Sequence, residues 1–319
     1  MYRNFWFYPK VYIHESCKIT TPFDMLVNQI VERSRGDQRH GSCGVGINET
    51  VVRYRNYGIG HTITPKTIRS LDLKYLLSYQ RDVYLSKRLK ELGVSNISLN
   101  DLGVILSENI IDNWIAQVNE MMDYCQVVND DIVHDYDGLV FEGAQGLLLD
   151  EMYEEFAPYL TTSRTGIPGV NRVLYSAGLH DCRDIEMCFV SRTYFTRHGA
   201  GFFPTECSAK DLFGEDKQDA TNVWNEFQGS FRYGYFEEDR FRNVCNQEFK
   251  RAKRMYPYAK LSFAFTHADE TDGMVLESFG HKEIKDVISP LSPDCFYTSI
   301  GNTRQHVIET PLKTHRKSQ

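Results

Sequence analysis

The sequence predicts an α/β protein with a mostly parallel central sheet and flanking helices. Two observations carry that prediction. Short apolar runs end in polar or small residues, and stretches of helical apolar period lie between them. Strands that alternate with helices pair in parallel, and their ligand loops collect at the carboxyl ends of the strands.

Lys10 to His14 reads as the first strand. Pro22 to Arg35 reads as a helix, with Phe23, Leu26, Val27, Ile30 and Val31 on one face. A polar, glycine-bearing loop follows from Gly36 to Thr50. Leu71 to Leu92 is helical, with Leu73, Leu76, Leu77 and Val83 aligned. Ile110 to Cys125 is helical too, and its stripe of Ile111, Trp114, Ile115, Val118, Met121, Met122 and Cys125 reads as core packing. Leu139 to Phe141 looks like the end of a buried strand that delivers Glu142 to Gly146 to a ligand. Three more strands follow. Ile185 to Val190 leads into Ser191-Arg192-Thr193, Leu261 to Phe265 into Thr266, and Cys295 to Tyr297 into Thr298-Ser299-Ile300-Gly301. No repeat, low-complexity linker or boundary interrupts the chain, so residues 1–310 read as one domain and residues 311–319 as a solvated basic tail.

Composition narrows the function class. The 319 residues are 41% hydrophobic and 25% charged, as in ordinary globular proteins, and the net charge of −7 argues against a long nucleic-acid groove. No run of 18 apolar residues suggests a membrane span. The aromatic N-terminus is too short and polar for a signal peptide. Eight cysteines without Cys-x-x-Cys pairs or zinc spacing suggest free thiols in a reduced cytoplasm.

Five segments carry the chemistry. Glycines 41, 44 and 46, around Ser42 and Cys43, allow backbone N–H groups to converge on an anion; glycine spacing alone would more often mean a surface turn. In Phe141-Glu142-Gly143-Ala144-Gln145-Gly146 the glycines allow close approach, and Gln145 offers a donor and an acceptor to a purine edge. The hydroxyl cluster Tyr159-Leu160-Thr161-Thr162-Ser163-Arg164-Thr165-Gly166 suits a phosphate or carboxylate. Thr196-Arg197-His198-Gly199-Ala200-Gly201-Phe202-Phe203-Pro204-Thr205-Glu206 is a glycine-rich loop, whose Pro-Thr-Glu end could simply start a helix. In Thr266-His267-Ala268-Asp269, a carboxylate suits the N1–H and N2–H₂ of guanine and repels adenine's N1.

In order and approximate spacing these segments resemble the adenylosuccinate synthetase family, from about residue 8 to about residue 308. The resemblance implies a fold related to the P-loop NTPases and a ligase that joins aspartate to the 6-position of a purine nucleoside monophosphate. In that reaction GTP phosphorylates the 6-oxygen of inosinate, and the amine of aspartate displaces the phosphate. Mg²⁺ and GTP (or ATP) are the implied cofactors. A homodimer in the cytoplasm, with no nucleic-acid or membrane partner, is the implied setting. Carried over by motif, Ser42, Cys43, Gln145, Thr161, Arg164 and His198 would contact the monophosphate, and Arg53 would reach a neighbouring subunit's phosphate. Arg232, within Asn225 to Phe236, would meet the amino-acid substrate. His267, Asp269 and Gly301 would hold the GTP base.

The departures matter. Cys43 stands in place of a Thr, Val45 in place of an Arg, Gly166 in place of a Thr, and His198 in place of a pocket-lining Val. Arg164 replaces an Asn, and a viral branch that uses deoxyguanylate also carries Thr-Ser-Arg there. Arg232 is all that remains of several arginines in the aspartate loop, and an aromatic turn with one solvated Arg is an equal reading of it. The family's opening Gly-Asp-Glu-Gly-Lys-Gly-Lys loop and its catalytic Asp and His have no counterpart in this sequence. The chain therefore reads as N-terminally incomplete, with catalytic residues unknown, no metal ligands, and a complementing N-terminal chain as a possible partner. A catalytically inactive nucleotide-binding relic, or a ligase using another amine donor, are the alternatives.

Overall fold

The computed structural model describes residues 9–58, 62–217, 219 and 221–312. The aromatic N-terminus through residue 8, and residues 313–319 of the basic tail, lie outside the described residues, while Pro311 of that tail ends a strand. The chain divides into two compact units, residues 1–140 and 141–319.

The first unit is mainly helical. Strand β1 (Val11–His14) is followed by α1 (Pro22–Arg35), α2 (Ile47–Asn56), α3 (Leu73–Tyr79), α4 (Ser86–Glu91), α5 (Leu99–Ile105) and α6 (Glu108–Tyr124), then β2 (Cys125–Val128). β1 and β2 pair in parallel, Val11 opposite Cys125. Helix α1 starts where the sequence says it must. Thr21 and Asp24 form a reciprocal capping box, Pro22 occupies the first turn, and Gly36 stops the helix at φ +54°. Its buried stripe, Phe23, Leu26, Val27, Ile30 and Val31, packs with Leu77, Tyr84, Leu85, Leu89, Ile105 and Ile111. The predicted helix over 71–92 is present but contains a π-helical stretch, Gln80–Leu85, between α3 and α4. Helix α6 buries Ile111, Val118 and Met122 of the expected stripe.

The second unit holds the larger sheet. Helix α7 (Ile167–Ser176) precedes β3 (Glu186–Arg192), β4 (Phe195–Arg197), β5 (Glu206–Cys207), α8 (Ala209–Phe213), β6 (Arg232–Gly234) and α9 (Glu238–Met255). Then come β7 (Lys260–Thr266), β8 (Met274–Glu277), β9 (Gly280–Glu283), α10 (Ile284–Ile288), β10 (Cys295–Ser299) and β11 (Val307–Pro311). The sheet order is β11-β10-β7-β3: β3, β7 and β10 run parallel, and β11 closes one edge antiparallel. Phe189, Leu261, Phe263, Phe265 and Phe296 of this sheet pack with Phe241 and Cys245 of α9 and Val287 and Ile288 of α10. Alternating buried aromatics on adjacent strands make the sheet's core side continuous.

The α/β class therefore holds, and parallel pairing is present in both units. The mostly parallel central sheet is only partly realised. Two further small sheets, β4-β6-β5 and β8-β9, are antiparallel. Leu139–Phe141 is not a strand. Val140 is 97% exposed, so the three-residue apolar run has neither a ladder partner nor a core to enter. The Pro204-Thr205-Glu206 segment leads into β5, and the helix begins later, at Ala209, capped by Ser208.

Candidate functional site

In the first unit, the loop between α1 and α2 is shaped by glycine. Gly41, Gly44 and Gly46 have φ of +70°, +76° and +85°, a region that side chains pay to enter. A Cβ on Gly46 would lie 2.6 Å from the carbonyl carbon of Asp24, so the start of α2 rests directly on the first turn of α1. Cys43 is exposed and Ser42 half-buried. Several of the loop's donors are already bound. The buried carboxylate of Glu32 accepts from the backbone N–H groups of His40, Gly41 and Ser42 at 3.3, 2.7 and 3.4 Å. The expected convergence of amides on an anion is real, but over this half of the loop the anion is the protein's own.

Arg53 is placed differently from the sequence expectation. It is fully buried, and its guanidinium grips Asp24 through Nε at 2.9 Å and Nη2 at 2.8 Å. Nη2 also donates to the Ile19 carbonyl at 2.9 Å. Asp24 accepts in addition from Thr21 and from the Thr50 hydroxyl. A fork already matched by a carboxylate on the same unit is a structural clamp. As placed here, Arg53 does not reach toward a neighbouring subunit.

In the second unit, the Gly143–Gly146 and Thr161–Gly166 segments lie against each other. A Cβ on Gly143 would come within 2.8 Å of the Thr165 carbonyl oxygen, and the Thr161 N–H donates to the Leu149 carbonyl at 2.8 Å. Gln145 is exposed. The hydroxyls of Thr161 and Ser163 share a hydrogen bond of 3.1 Å. Arg164 pairs with the buried Asp150 at 3.1 Å, and the same carboxylate accepts from the Thr165 N–H at 2.6 Å. Asp150 thus folds the hydroxyl loop and anchors Arg164 to it.

The neighbouring β4–β6 pair sets Arg197 opposite Arg232. Arg232 lies on Glu206, its Nε donating at 2.7 Å, and its Nη1 donates to the carbonyls of Gly199 and Gly201 at 2.9 and 3.0 Å. With Nη2 also on Glu206, four of its five N–H groups are used within the unit. Hydrogen bonds from Arg232 hold the Glu206 carboxyl below its usual range. Burial, and then the charge of Arg232, lower the pKa of Arg197, whose Nη2 reaches the Tyr159 carbonyl beside the hydroxyl loop. His198 lies against the Phe231 ring, 4.7 Å between centroids. Its Nε2 is hydrogen-bonded to the Asn222 amide oxygen at 2.8 Å.

The carboxyl ends of β3, β7 and β10 bring the segments 191–193, 266–269 and 298–301 side by side. Arg192 is in register with Thr266, and Thr298 with Phe265. His267 adopts φ +58° and bonds the Thr266 hydroxyl through Nδ1 at 3.0 Å. Burial, and then the nearby Arg192, lower its pKa and keep the ring neutral. Asp269 follows in a 3₁₀ turn, exposed between the buried Ala268 and the half-buried Glu270. On the next strand, Ser299 bonds the Gly301 carbonyl at 3.0 Å, and a side chain at Gly301 would collide with the His306 ring. Arg192 is 3.2 Å from Asp219 and lies over the rings of Tyr194 and Phe231. Burial opposes the charge of Asp219, yet hydrogen bonds from Thr221, Asn222 and Arg192 hold its pKa well below normal.

Comparison with known proteins decides the family. The sequence model of adenylosuccinate synthetase matches residues 5–243, three quarters of the chain. The chain belongs to the adenylosuccinate synthetase family. It is 28% identical over 203 residues to the adenylosuccinate synthetase of Tolumonas auensis, covering 62% of this chain and 43% of that protein. It is 29% identical over 197 residues to that of Pseudoalteromonas atlantica, covering 61% and 42%. It is 29% identical over 205 residues to that of Synechocystis sp., covering 62% and 42%. The chain thus spans less than half the length of these curated synthetases. The matched stretch ends inside α9, so His267, Asp269 and Gly301 lie beyond it and rest on their motifs and geometry.

Several partners of the expected residues are not among those the sequence predicts: Asp24, Asn28 and Glu32 behind the first loop, Asp150 beneath the second, and Arg192 and Asp219 beside the turn after β7. A signal existed for the first three. They recur every four residues along a helix whose opposite face is apolar.

Proposed function

We propose that this chain works as an adenylosuccinate-synthetase-type ligase, with residues 1–310 as one functional domain. It would join aspartate to carbon 6 of a purine nucleoside monophosphate at the expense of GTP. The observation that carries the reading is the row of turns after the parallel strands. Asp269 presents an exposed carboxylate next to a neutral His267, one strand away from the Gly301 turn. A carboxylate with a flat neutral ring beside it fits the donor edge and the face of guanine. Gln145, Thr161, Arg164 and His198 would receive the monophosphate, on loops that touch one another in the second unit. Ser42 and Cys43, on the glycine loop of the first unit, are proposed as phosphate contacts by their motif alone.

GTP and Mg²⁺ are the cofactors the reading requires. Among the described residues, no group of three or more His, Cys, Asp or Glu side chains could hold a metal ion. No step is assigned through the metal. No helix of the described residues is long and apolar enough to cross a membrane. A cytoplasmic homodimer is the setting proposed.

The test is release of phosphate from GTP in the presence of aspartate and either inosinate or deoxyguanylate. It is run with and without a polypeptide carrying the family's opening phosphate loop. Turnover with aspartate supports the reading, and no turnover under any combination refutes it. One observation favours a second reading. Arg232, the cation expected to meet aspartate, is engaged by Glu206 and two carbonyls. A site with its cation so committed suits a different amine donor, or monophosphate binding without ligation. Calorimetry with each monophosphate and with alternative amines separates these outcomes.

A further inference from the structure

The loop at 40–46 is held from one side by α1. Three polar residues recur a turn apart on that helix. Asp24 supplies the backbone surface against which Gly46 packs, and its carboxylate holds Thr50 and Arg53 of α2. Asn28 meets the Ser42 hydroxyl twice, its Nδ2 donating at 2.9 Å and its Oδ1 accepting at 3.1 Å. Glu32 takes the backbone N–H groups of His40, Gly41 and Ser42. Between them Gln29 donates to the Gly44 carbonyl at 3.0 Å. Every turn of this helix face therefore fixes a different part of the loop.

We propose that Asn28 is a positioning residue that acts through Ser42, presenting its hydroxyl proton to the phosphate of the bound nucleotide. The proposal rests on the monophosphate reading of this loop. Its chemistry is specific. A hydroxyl carries one proton and two lone pairs. Donation from Asn28 Nδ2–H occupies one lone pair and fixes the position of Oγ. The proton then rests on the neutral Oδ1 until a stronger acceptor arrives. A phosphate oxygen is charged and accepts more strongly than an amide, so the hydroxyl turns to it while Nδ2–H keeps hold of Oγ. Glu32 already engages the amides at 40–42, so over this half of the loop the Ser42 hydroxyl is the donor offered to the ligand.

The experiment is a double-mutant cycle on the whole chain: wild type, Asn28→Ala, Ser42→Ala and the double variant. Calorimetry compares inosinate with inosine, and deoxyguanylate with deoxyguanosine. The measured quantity is the preference for the phosphorylated form. Each single variant is expected to lose about three- to tenfold of that preference, and the double variant no more than either alone. Binding of the nucleosides stays unchanged, which a mere loss of folded protein would not produce. Thermal melts confirm folding, and Asn28→Ser serves as a second variant if Asn28→Ala unfolds. Losses that multiply in the double variant, or an Asn28 effect equal on nucleoside and nucleotide, overturn the positioning role. A wild type indifferent to the phosphate overturns the monophosphate reading and this inference with it.

Discussion

Replacing Arg53 by alanine distinguishes a clamp from a ligand. In the structure its guanidinium and the Asp24 carboxylate are both completely buried, 2.8 Å apart. Removing one member of a buried pair costs about 3–5 kcal/mol, because the other charge is stranded. Asp24 would keep its bonds from the Thr21 N–H at 2.9 Å, the Thr21 hydroxyl at 3.1 Å and the Thr50 hydroxyl at 3.2 Å. Those bonds soften the penalty, so the lower end, about 3 kcal/mol, is expected. The Ile19 carbonyl also loses its donor. Urea denaturation followed by far-ultraviolet circular dichroism and tryptophan fluorescence should show the midpoint falling by about 1 M or more. Arg53→Lys keeps the charge but not the two-pronged fit, and should fall between the two. If Arg53→Ala unfolds within about 0.5 kcal/mol of wild type while losing nucleotide affinity, the clamp reasoning is wrong. Arg53 would then belong to a binding surface.

Three further outcomes are expected. Gly46→Ala should destabilise the chain by about 2–4 kcal/mol, since it forces a side chain into φ +85° and against Asp24; equilibrium unfolding measures this. Asp269→Asn should weaken GTP at least about tenfold relative to ATP in competition binding, because one charge-assisted acceptor becomes a neutral amide; an unchanged ratio would remove Asp269 from base recognition. The third concerns pH. His267 has a lowered folded pKa, so the unfolded chain takes up the proton more readily. Stability is full above the ordinary histidine value of about 6.5 and declines as pH falls through it. Glu206, also lowered, contributes stability above the ordinary glutamate value of about 4.3, and that contribution is lost as pH falls further. Stability measured from pH 8 to 3 should therefore flatten near 6 in His267→Gln and near 4 in Glu206→Gln.

Much of the helical framework could be read in advance, for local reasons. The start of α1 is written in Thr21, Pro22 and Asp24, and its stop in Gly36. The parallel strands at 186–192, 260–266 and 295–299 were legible as apolar runs bounded by hydroxyls and glycine. Leu139–Phe141 misled because a three-residue run has no periodicity to show whether a partner exists. The sheet β4-β6-β5 was invisible for a related reason: its strands are two or three residues long, and its pairing joins segments tens of residues apart. The π turn at Gln80–Leu85 shifts the apolar stripe: Val83, expected on the buried face with Leu73, Leu76 and Leu77, is exposed, and Tyr84 and Leu85 are buried in its stead. At the candidate site the residue types were legible and their commitments were not. Nothing near Arg53 in sequence announces Asp24, 29 positions earlier. Likewise Arg232 finds Glu206 26 positions away, through a shared sheet.

Gly166 and Glu248 have become mutually dependent. A methyl group at position 166 would run into the Glu248 carboxylate, which accepts from the Ile167 N–H at 2.6 Å at the mouth of α7. Exposed amides at a helix start usually attract negative groups from solution. Here that vacancy is plugged from inside by a glutamate that Arg251 steadies at 2.8 Å. An incoming ester oxygen must therefore seek its donors elsewhere, and a threonine could return to position 166 only if Glu248 first withdrew.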